Sequence, residues 1–346
     1  MNNNPFMLTF GMKPENYISR IGQSHEIINS FETGTNNVFM ITGVRGTGKT
    51  VMLSHISEYF SLKKDWMVVE LITEADMLDQ LASIIYDSSL LHKIIDGKTF
   101  SVSFKGISFS IKGEKPITNI VSFLDLLLSK LQKKNKKLLI CVDEAVNNSF
   151  MKPFTQAIQL LLRKKYQICL LMTGLYQNIY ELQNNKTLTF LYRAPKVFLE
   201  PLNLKAVSNS YKDIFKIDLE QAVALAKLTK GYAYAYQVLG HLIWEKGNCS
   251  LNEELLHKYD QYLQEYVYDK IWSELSAKDK KVLFSFSKDT KTTEELLKET
   301  GMGKKELSVY RDRLIKRGIL FSPEYGVLSI RLPRFVQFLT IQKELL

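Results

Sequence analysis

An eight-residue segment, Gly43-Val44-Arg45-Gly46-Thr47-Gly48-Lys49-Thr50, constrains the fold of this chain more than any other feature. It fits the pattern G-x-x-x-x-G-K-[ST] and directly follows the apolar run Val38-Phe39-Met40-Ile41-Thr42. Apolar residues at helical spacing come next, so the pattern predicts a strand, a glycine-rich turn and a helix whose positive end faces the turn. Such a turn curls backbone N–H groups around a phosphate chain. The sequence therefore predicts a phosphate-binding loop.

The chemistry expected of this loop is nucleotide binding. Lys49 would reach the outer phosphates, and the Thr50 hydroxyl would ligate Mg²⁺. The residues assigned to contact ATP here are Gly43, Val44, Arg45, Gly46, Thr47, Gly48, Lys49, Thr50 and Val51.

Continuous apolar runs alternate with helical patterns up to about Pro201, which predicts an α/β fold with a parallel sheet covered on both faces. The runs after the first are 66–71, 138–142 and 168–172. One of them leads directly into Asp143-Glu144, and the next into Thr173-Gly174. In such sheets, ligands bind at the carboxyl ends of the strands. We expect Asp143 to hold Mg²⁺, Glu144 to polarise the attacking water and Thr173 to sense the γ-phosphate; a simple polar strand exit is the alternative at both places.

Composition favours a globular protein. The chain has 346 residues, of which 45% are hydrophobic. No apolar run approaches the roughly 18 residues of a membrane span, and the polar start does not resemble a signal peptide, so a cytoplasmic location is expected. The three cysteines show no ligand spacing, which argues against a zinc site or a disulfide framework.

Beyond Pro201 the apolar pattern becomes helical. Helices are predicted at 204–215, 219–228, 232–244 and 251–275, the last as a connector. Three shorter helices and two short strands follow, which is a winged-helix layout. The predicted domains are an ATPase domain at 1–201, a helical lid at 202–250, and a connector with a winged helix at 251–346.

Residues 99–113 alternate apolar and polar side chains around Lys105-Gly106 and predict an inserted hairpin. Its apolar face would cover the sheet or a helix, or would contact a partner or DNA.

The order of these motifs resembles that of AAA+ ATPases. The phosphate loop, Leu139-Ile140-Cys141-Val142-Asp143-Glu144, Thr173-Gly174, Arg193 ahead of Pro201-Leu202, the helical lid and the winged helix carry the resemblance. Within these ATPases the chain is most similar to bacterial ATP-binding proteins related to archaeal and eukaryotic origin-recognition ATPases. Its start, with Asn4-Pro5-Phe6, Phe10-Gly11, Pro14 and Ser19-Arg20-Ile21-Gly22, resembles the box that lies over the adenine in that group.

The resemblance implies that Arg193 acts as an arginine finger on the ATP of a neighbouring subunit, so that hydrolysis needs a homo-oligomer and an isolated monomer is slow. A surface ion pair is the alternative for Arg193. The chain departs from the family at the lid, where Tyr234 stands in place of a sensor arginine. Either Lys230 or another subunit supplies the charge, or the lid is loosely coupled to the nucleotide; Tyr232, Tyr234 and Tyr236 would in the simplest case pack the lid.

Positive charge is concentrated in two places. Basic clusters precede the second, third and fourth strands, at the sheet edge opposite the nucleotide, and form either a solvated rim or a polyanion surface. In the third helix of the predicted winged helix, Leu307, Tyr310 and Leu314 form the buried stripe. The face expected to enter a DNA major groove carries Lys304, Lys305, Ser308 and Arg311; protein contacts are the alternative use.

Together these features predict an Mg-ATP-dependent ATPase that acts as an assembly or conformational switch and binds double-stranded DNA, as an initiator or loader would. The alternative is a signalling switch that holds ATP, turns it over little and acts through protein partners. A helicase-like motor is less favoured because no further motor motifs occur.

Overall fold

The computed structural model describes residues 3–9, 11, 13–88, 119–185, 188 and 190–345. The chain divides into two compact units. The sheet unit comprises Ile21–Thr42 and Met52–Val197, and the lid unit comprises Met1–Arg20, Gly43–Val51 and Phe198–Leu346. The hairpin predicted at 99–113 lies outside the described residues.

A parallel sheet forms the centre of the sheet unit, as predicted. Its described strands are β1 Val38–Thr42, β2 Trp66–Leu71, β3 Lys137–Val142, β4 Ile168–Gly174 and β5 Lys196–Phe198, in the spatial order β2-β3-β4-β1-β5. Every residue of β1 and β4 is buried, which explains why these strands are apolar without interruption.

Helices connect the strands. They are α1 Ile21–Thr33, α2 Lys49–Ser61, α3 Met77–Asp87, α4 Ile120–Lys133, α5 Met151–Arg163 and α6 Tyr176–Asn184. Asp76 and Asn119 cap α3 and α4 by accepting hydrogen bonds from backbone N–H groups of the first turn. The apolar faces of α3 to α6 pack with the strands in one continuous core.

Register aligns the carboxyl ends of three strands. Thr42 of β1 lies opposite Gly174 of β4, and Val142 of β3 lies opposite Met172. The chain therefore leaves β1 and β3 at one edge of the sheet. The residue that follows Thr42 is Gly43, the first residue of the predicted phosphate loop.

Helices predominate in the lid unit. After β5 come α7 Leu204–Phe215, α8 Leu219–Thr229, α9 Ala233–Lys246 and α10 Glu253–Leu263, followed by a π-helical segment at Gln264–Tyr268 and α11 Asp269–Ser273. The predicted connector is thus helical from Glu253 to Ser273, with a π-helical turn within it. The N-terminal segment packs on α9, where the Phe6 ring lies against Gly240 and the Met7 N–H donates to Gln237 Oε1 at 2.9 Å.

The C-terminal subdomain, residues 276–334, contains the predicted helices and hairpin. Its elements are α12 Ala277–Phe284, β6 Thr290–Thr292, α13 Thr293–Thr300, α14 Lys304–Lys316, β7 Leu320–Phe321 and β8 Val327–Ile330; α15 Phe335–Glu344 follows. The added strand β6 pairs with β8 in an antiparallel sheet of order β6-β8-β7. Of the predicted buried stripe, Leu307 and Leu314 are buried and Tyr310 is half-buried. No helix in the described ranges is long and apolar enough to cross a membrane.

Candidate functional site

The predicted phosphate loop has the backbone form that its glycines allow. Gly46 and Gly48 have φ values of 73° and 88°, a region that favours glycine. The Thr47 hydroxyl donates to the Val44 carbonyl at 2.8 Å and fixes the turn. The Lys49 ammonium donates to the same carbonyl at 3.0 Å, so its charge lies over the loop.

The start of the lid helix α9 is bonded directly to this loop. The Tyr232 hydroxyl donates to the Arg45 carbonyl, and the Tyr234 N–H donates to the Gly46 carbonyl at 3.0 Å. Burial raises the pKa of Tyr232 well above its ordinary value, so the hydroxyl keeps its proton at neutral pH. The contact is close, because a Cβ on Gly46 would lie 2.3 Å from the Tyr232 oxygen. Neutral groups therefore hold lid and loop together.

Arg20 places a positive charge at the same loop. Its guanidinium donates to the carbonyls of Thr47 at 2.8 Å and Glu200 at 2.9 Å. Burial lowers the pKa of Arg20 to about 10, so it remains a cation at neutral pH. Sequence reasoning placed Arg20 only in the adenine box, and no local pattern could have assigned it to a loop 27 residues further along the chain.

Lys230, considered as a substitute for the lid arginine, makes other contacts. Its ammonium forms an ion pair with Asp289 at 2.8 Å and donates to the Ile330 carbonyl at 3.2 Å. It therefore joins the lid to the C-terminal subdomain. Tyr236 is fully buried and bonds to Ser210 and Asn16, which confirms lid packing as its role.

A small cavity lies beside the loop within the lid unit. Its lining includes Arg20, Thr47, Tyr232 and Arg331. The centre of a water molecule can occupy about 20 Å³ of this cavity. That volume holds about one water.

Asp143 and Thr173 meet in the sheet unit. The Thr173 hydroxyl donates to Asp143 Oδ1, and the Glu144 N–H donates to the same oxygen at 3.0 Å. The Thr173 carbonyl accepts the Ala145 N–H at 2.7 Å, which ties the exit of β3 to the end of β4. These bonds orient the Asp143 carboxylate.

Glu144 has an unusual backbone conformation. Its φ of 50° is uncommon for a residue with a side chain and is held by the hydrogen bonds of its N–H. The side chain is exposed, and its carboxylate accepts no hydrogen bond from any described residue. Such a carboxylate can hold and polarise a water molecule.

Arg193 ends a short 3₁₀ turn, Leu191–Arg193, and is exposed. Within the part of the chain that the structure describes, its guanidinium makes no ion pair, so the surface ion pair considered as its alternative role is not present there.

The predicted DNA face of α14 carries less unpaired charge than the sequence suggests. Lys304 and Lys305 are exposed, whereas Arg311 is bonded to Asp312 at 2.8 Å and lies near Ser308. Other cations of this region serve internal contacts: Arg313 bonds Asp279, Arg317 bonds the Glu274 carbonyl, Arg331 bonds Glu200 and Arg334 bonds Asp260.

The candidate metal ligands suit Mg²⁺ better than a metal ion that is held by protein side chains alone. No group of three or more His, Cys, Asp or Glu side chains among the described residues could hold a metal ion. Magnesium at phosphates commonly takes one or two protein oxygens and completes its shell with water and phosphate. The Thr50 hydroxyl and the Asp143 carboxylate are hard oxygen donors of the required kind.

Two family models match parts of the chain. Residues 23–97 match the model described as mitochondrial ribosomal death-associated protein 3. Residues 265–339 match a domain of unknown function (DUF8462). No curated protein matches the chain.

Solved structures match nearly the whole chain. A Walker-type ATPase of Pyrococcus abyssi is 13% identical, with 95% of this chain and 97% of that one covered and a TM-score of 0.63. The ORC2 protein of Aeropyrum pernix, in ADPNP–ADP complexes, is 15% identical over 98% of both chains, with a TM-score of 0.58. Cdc6p from Pyrobaculum aerophilum is 14% identical over 98% of both chains, with a TM-score of 0.50. The chain shares the fold of these structures, which confirms the predicted α/β class with a parallel sheet, while the winged helix stays a prediction.

Proposed function

We propose that this chain binds Mg·ATP and hydrolyses it slowly as an assembly or conformational switch. One observation carries the proposal. A complete phosphate loop follows β1, and β1 ends at the same sheet edge as the β3 strand that delivers Asp143 and Glu144. A phosphate chain and a water-activating carboxylate are thereby served by one edge of the sheet.

Each residue has a distinct role in this proposal. Backbone N–H groups from Gly43 to Val51 cradle the phosphates, and Lys49 neutralises their charge. Thr50 and Asp143 would hold Mg²⁺, which when bound offsets charge on the transferred phosphate. Glu144 takes a proton from the attacking water, and Thr173, whose hydroxyl donates to Asp143, would sense the γ-phosphate at the end of β4.

The solved structures give independent support. One is described as a Walker-type ATPase, and another was solved with bound ADPNP and ADP. Their fold extends over almost the whole chain, which supports nucleotide binding by this chain.

In the proposed arrangement, residues 1–201 form the ATPase domain, 202–250 the lid, and 251–346 the connector and winged helix. Exposed Lys304 and Lys305 of α14, with Ser308 and Arg311, would contact the phosphates and base edges of duplex DNA.

Hydrolysis is expected to depend on protein concentration. If Arg193 completes the site of a neighbouring subunit, the rate of ATP hydrolysis per mole of protein rises as the protein assembles. We expect duplex DNA to raise this rate further. Arg193→Ala should stay at the low basal rate, about 10³-fold below the assembled parent. Lys196→Ala, another exposed cation three residues away, is the control. Phosphate release measured across a range of protein concentrations tests this; equal rates for Arg193→Ala and the parent throughout would contradict the finger.

DNA binding by α14 is tested by Lys304→Gln, Lys305→Gln and Arg311→Gln together. Each lost phosphate contact lowers the slope of log affinity against log salt by about 0.9, so we expect roughly tenfold weaker binding at 100 mM salt. Fluorescence anisotropy with a labelled duplex measures it. Unchanged affinity and slope would assign this face to protein contacts.

The signalling switch remains a second candidate because the lid contacts the loop through Tyr232 and Tyr234 and not through an arginine. Such a protein should purify with bound ATP and show negligible turnover at every concentration. Identifying the retained nucleotide by chromatography after denaturation separates the two candidates.

A further inference from the structure

Nine cations lie at the amino ends of β2, β3 and β4, the edge opposite the strand ends that carry Asp143 and Thr173. We call this set the basic edge. Its members are Lys63, Lys64, Lys133, Lys134, Lys136, Lys137, Arg163, Lys164 and Lys165. The loops that hold them contain one carboxylate, Asp65.

Backbone contacts make the basic edge one continuous surface. The Lys137 N–H donates to the Asp65 carbonyl at 2.8 Å, and the Leu138 N–H donates to the Gln167 carbonyl at 2.9 Å. The Lys136 ammonium also bonds the Lys64 carbonyl. Since neighbouring strands lie about 4.8 Å apart, the three loops span about 10 Å. Duplex DNA carries about six charges over that length.

Much of this charge is not neutralised by the residues that the structure describes. Lys63 bonds Glu32, a contact that lowers the pKa of that carboxyl, and Lys164 pairs with Asp125 at 2.8 Å. Lys64, Lys133, Lys134, Arg163 and Lys165 are exposed and form no ion pair with any described residue. Five unpaired cations so close together repel one another, which an anion would relieve.

Helix ends alone do not account for the cluster. Three helices, α2, α4 and α5, end at these loops, and a cation near a helix C-terminus is stabilising. Three cations would be enough to stabilise three helix C-termini, but the basic edge has nine.

The surroundings favour duplex DNA over other polyanions. Trp66 is buried, and the hydroxyls of Tyr59 and Tyr166 donate to Glu32 and Asp125. None of these three aromatic side chains is exposed, whereas single-stranded nucleic acid needs exposed rings for base stacking. Among the described residues of these loops, Leu62 is the one large apolar side chain that is widely exposed, at 86%. A membrane-bound surface would need a larger apolar face.

We propose that the basic edge is a second DNA-contacting surface, which binds the phosphate backbone of duplex DNA without reading sequence. Eight of its nine cations are lysines, which act as point charges towards phosphate and lack the bidentate fork that reads guanine. In its predicted set, the α14 face has two exposed lysines that form no ion pair with a described residue, so it would supply few phosphate contacts on its own. The basic edge would add to them.

The test removes one charge from each loop: Lys64→Gln, Lys134→Gln and Arg163→Gln in the full chain. The control, Lys205→Gln, Lys212→Gln and Lys227→Gln, removes three exposed lysines of α7 and α8 that form no ion pair with described residues. Both variants lower the net charge by three. For a random-sequence 30-base-pair duplex, the edge variant should bind about tenfold more weakly at 100 mM salt, with a salt slope smaller by two to three. The control should bind like the parent.

Four outcomes decide the proposal. Parent-like affinity and slope in the edge variant overturn it, and so does an equal loss in the control variant. A larger loss for single-stranded DNA than for the duplex overturns it in favour of a single-strand site. Loss of binding to phosphatidylserine vesicles with unchanged duplex affinity overturns it in favour of a membrane site. Unchanged circular dichroism and basal ATP hydrolysis establish that the edge variant is folded.

Failure of this inference is distinguishable from failure of the proposed function. Combining the edge variant with the α14 variant separates the two surfaces, since independent phosphate contacts add in log affinity. An effect of the edge variant alone sustains the basic edge even where the α14 variant binds like the parent.

Discussion

Replacing Glu144 with glutamine is expected to lower ATP hydrolysis at least about 100-fold and to leave ATP binding almost unchanged. The amide occupies the same volume but cannot take a proton from water. Because the Glu144 carboxylate accepts no hydrogen bond from a described residue, its loss disturbs little else. Single-turnover hydrolysis and equilibrium binding of a fluorescent ATP analogue measure the two effects separately.

Glu74 offers a matched control. It is also exposed and follows the end of β2, a neighbouring strand of the same sheet. Glu74→Gln changes charge and volume identically, so it should hydrolyse ATP like the parent. Equal rates for Glu144→Gln and the parent would remove Glu144 from the proposed mechanism and leave the signalling switch as the better account.

Replacing Gly231 with alanine is expected to destabilise the lid unit by about 2–5 kcal/mol. Its φ of 71° costs a residue with a side chain about 1–2 kcal/mol. The new Cβ would also lie 2.4 Å from the Leu202 carbonyl oxygen, and relief of such overpacking costs roughly a further 1–3 kcal/mol. Since Tyr232 follows directly, the strain should also weaken the contact between lid and loop. Urea unfolding measures the first effect and nucleotide affinity the second.

Gly247 is a control that separates the steric cost of an added Cβ from the cost of a positive φ. Its φ is 72°, nearly the same as that of Gly231, but no described atom lies within 4 Å of the position its Cβ would take. Gly247→Ala should therefore cost only the conformational term, about 1–2 kcal/mol. If both alanine variants lose the same free energy of unfolding, the close contact with the Leu202 carbonyl oxygen is relieved without an energetic cost.

Much of the fold was predictable because the signals are local. The strand at Val38–Thr42, the strand at Trp66–Leu71 and the helix at Leu204–Phe215 have the predicted bounds, since the apolar pattern of each segment is clear and ends sharply. The β6 strand was missed because Thr290–Thr292 is three residues long and mostly polar. Only its pairing with β8 makes it a strand.

Those parts of the candidate site that lie at strand ends could be predicted from the sequence, and those that depend on tertiary packing could not. Strand ends place Asp143 and Thr173 on adjacent strands, which parallel register implies. Arg20 reaches Thr47 through tertiary packing, which no spacing reveals. The positive charge predicted for the C-terminal subdomain was also misleading, because the internal partners of Arg313 and Arg317 become visible only in three dimensions.

The ion pair between Arg45 and Glu274, at 2.8 Å, has a thermodynamic consequence. It joins the phosphate loop to the chain just before the C-terminal subdomain, and Val44 shares one hydrophobic core with the lid and that subdomain. A ligand that shifts the subdomain must alter contacts made by the loop. Linkage then requires reciprocity: by whatever factor bound nucleotide changes DNA affinity, bound DNA changes nucleotide affinity by the same factor. Under the proposed function, the protein would report DNA occupancy through its affinity for nucleotide, without any turnover.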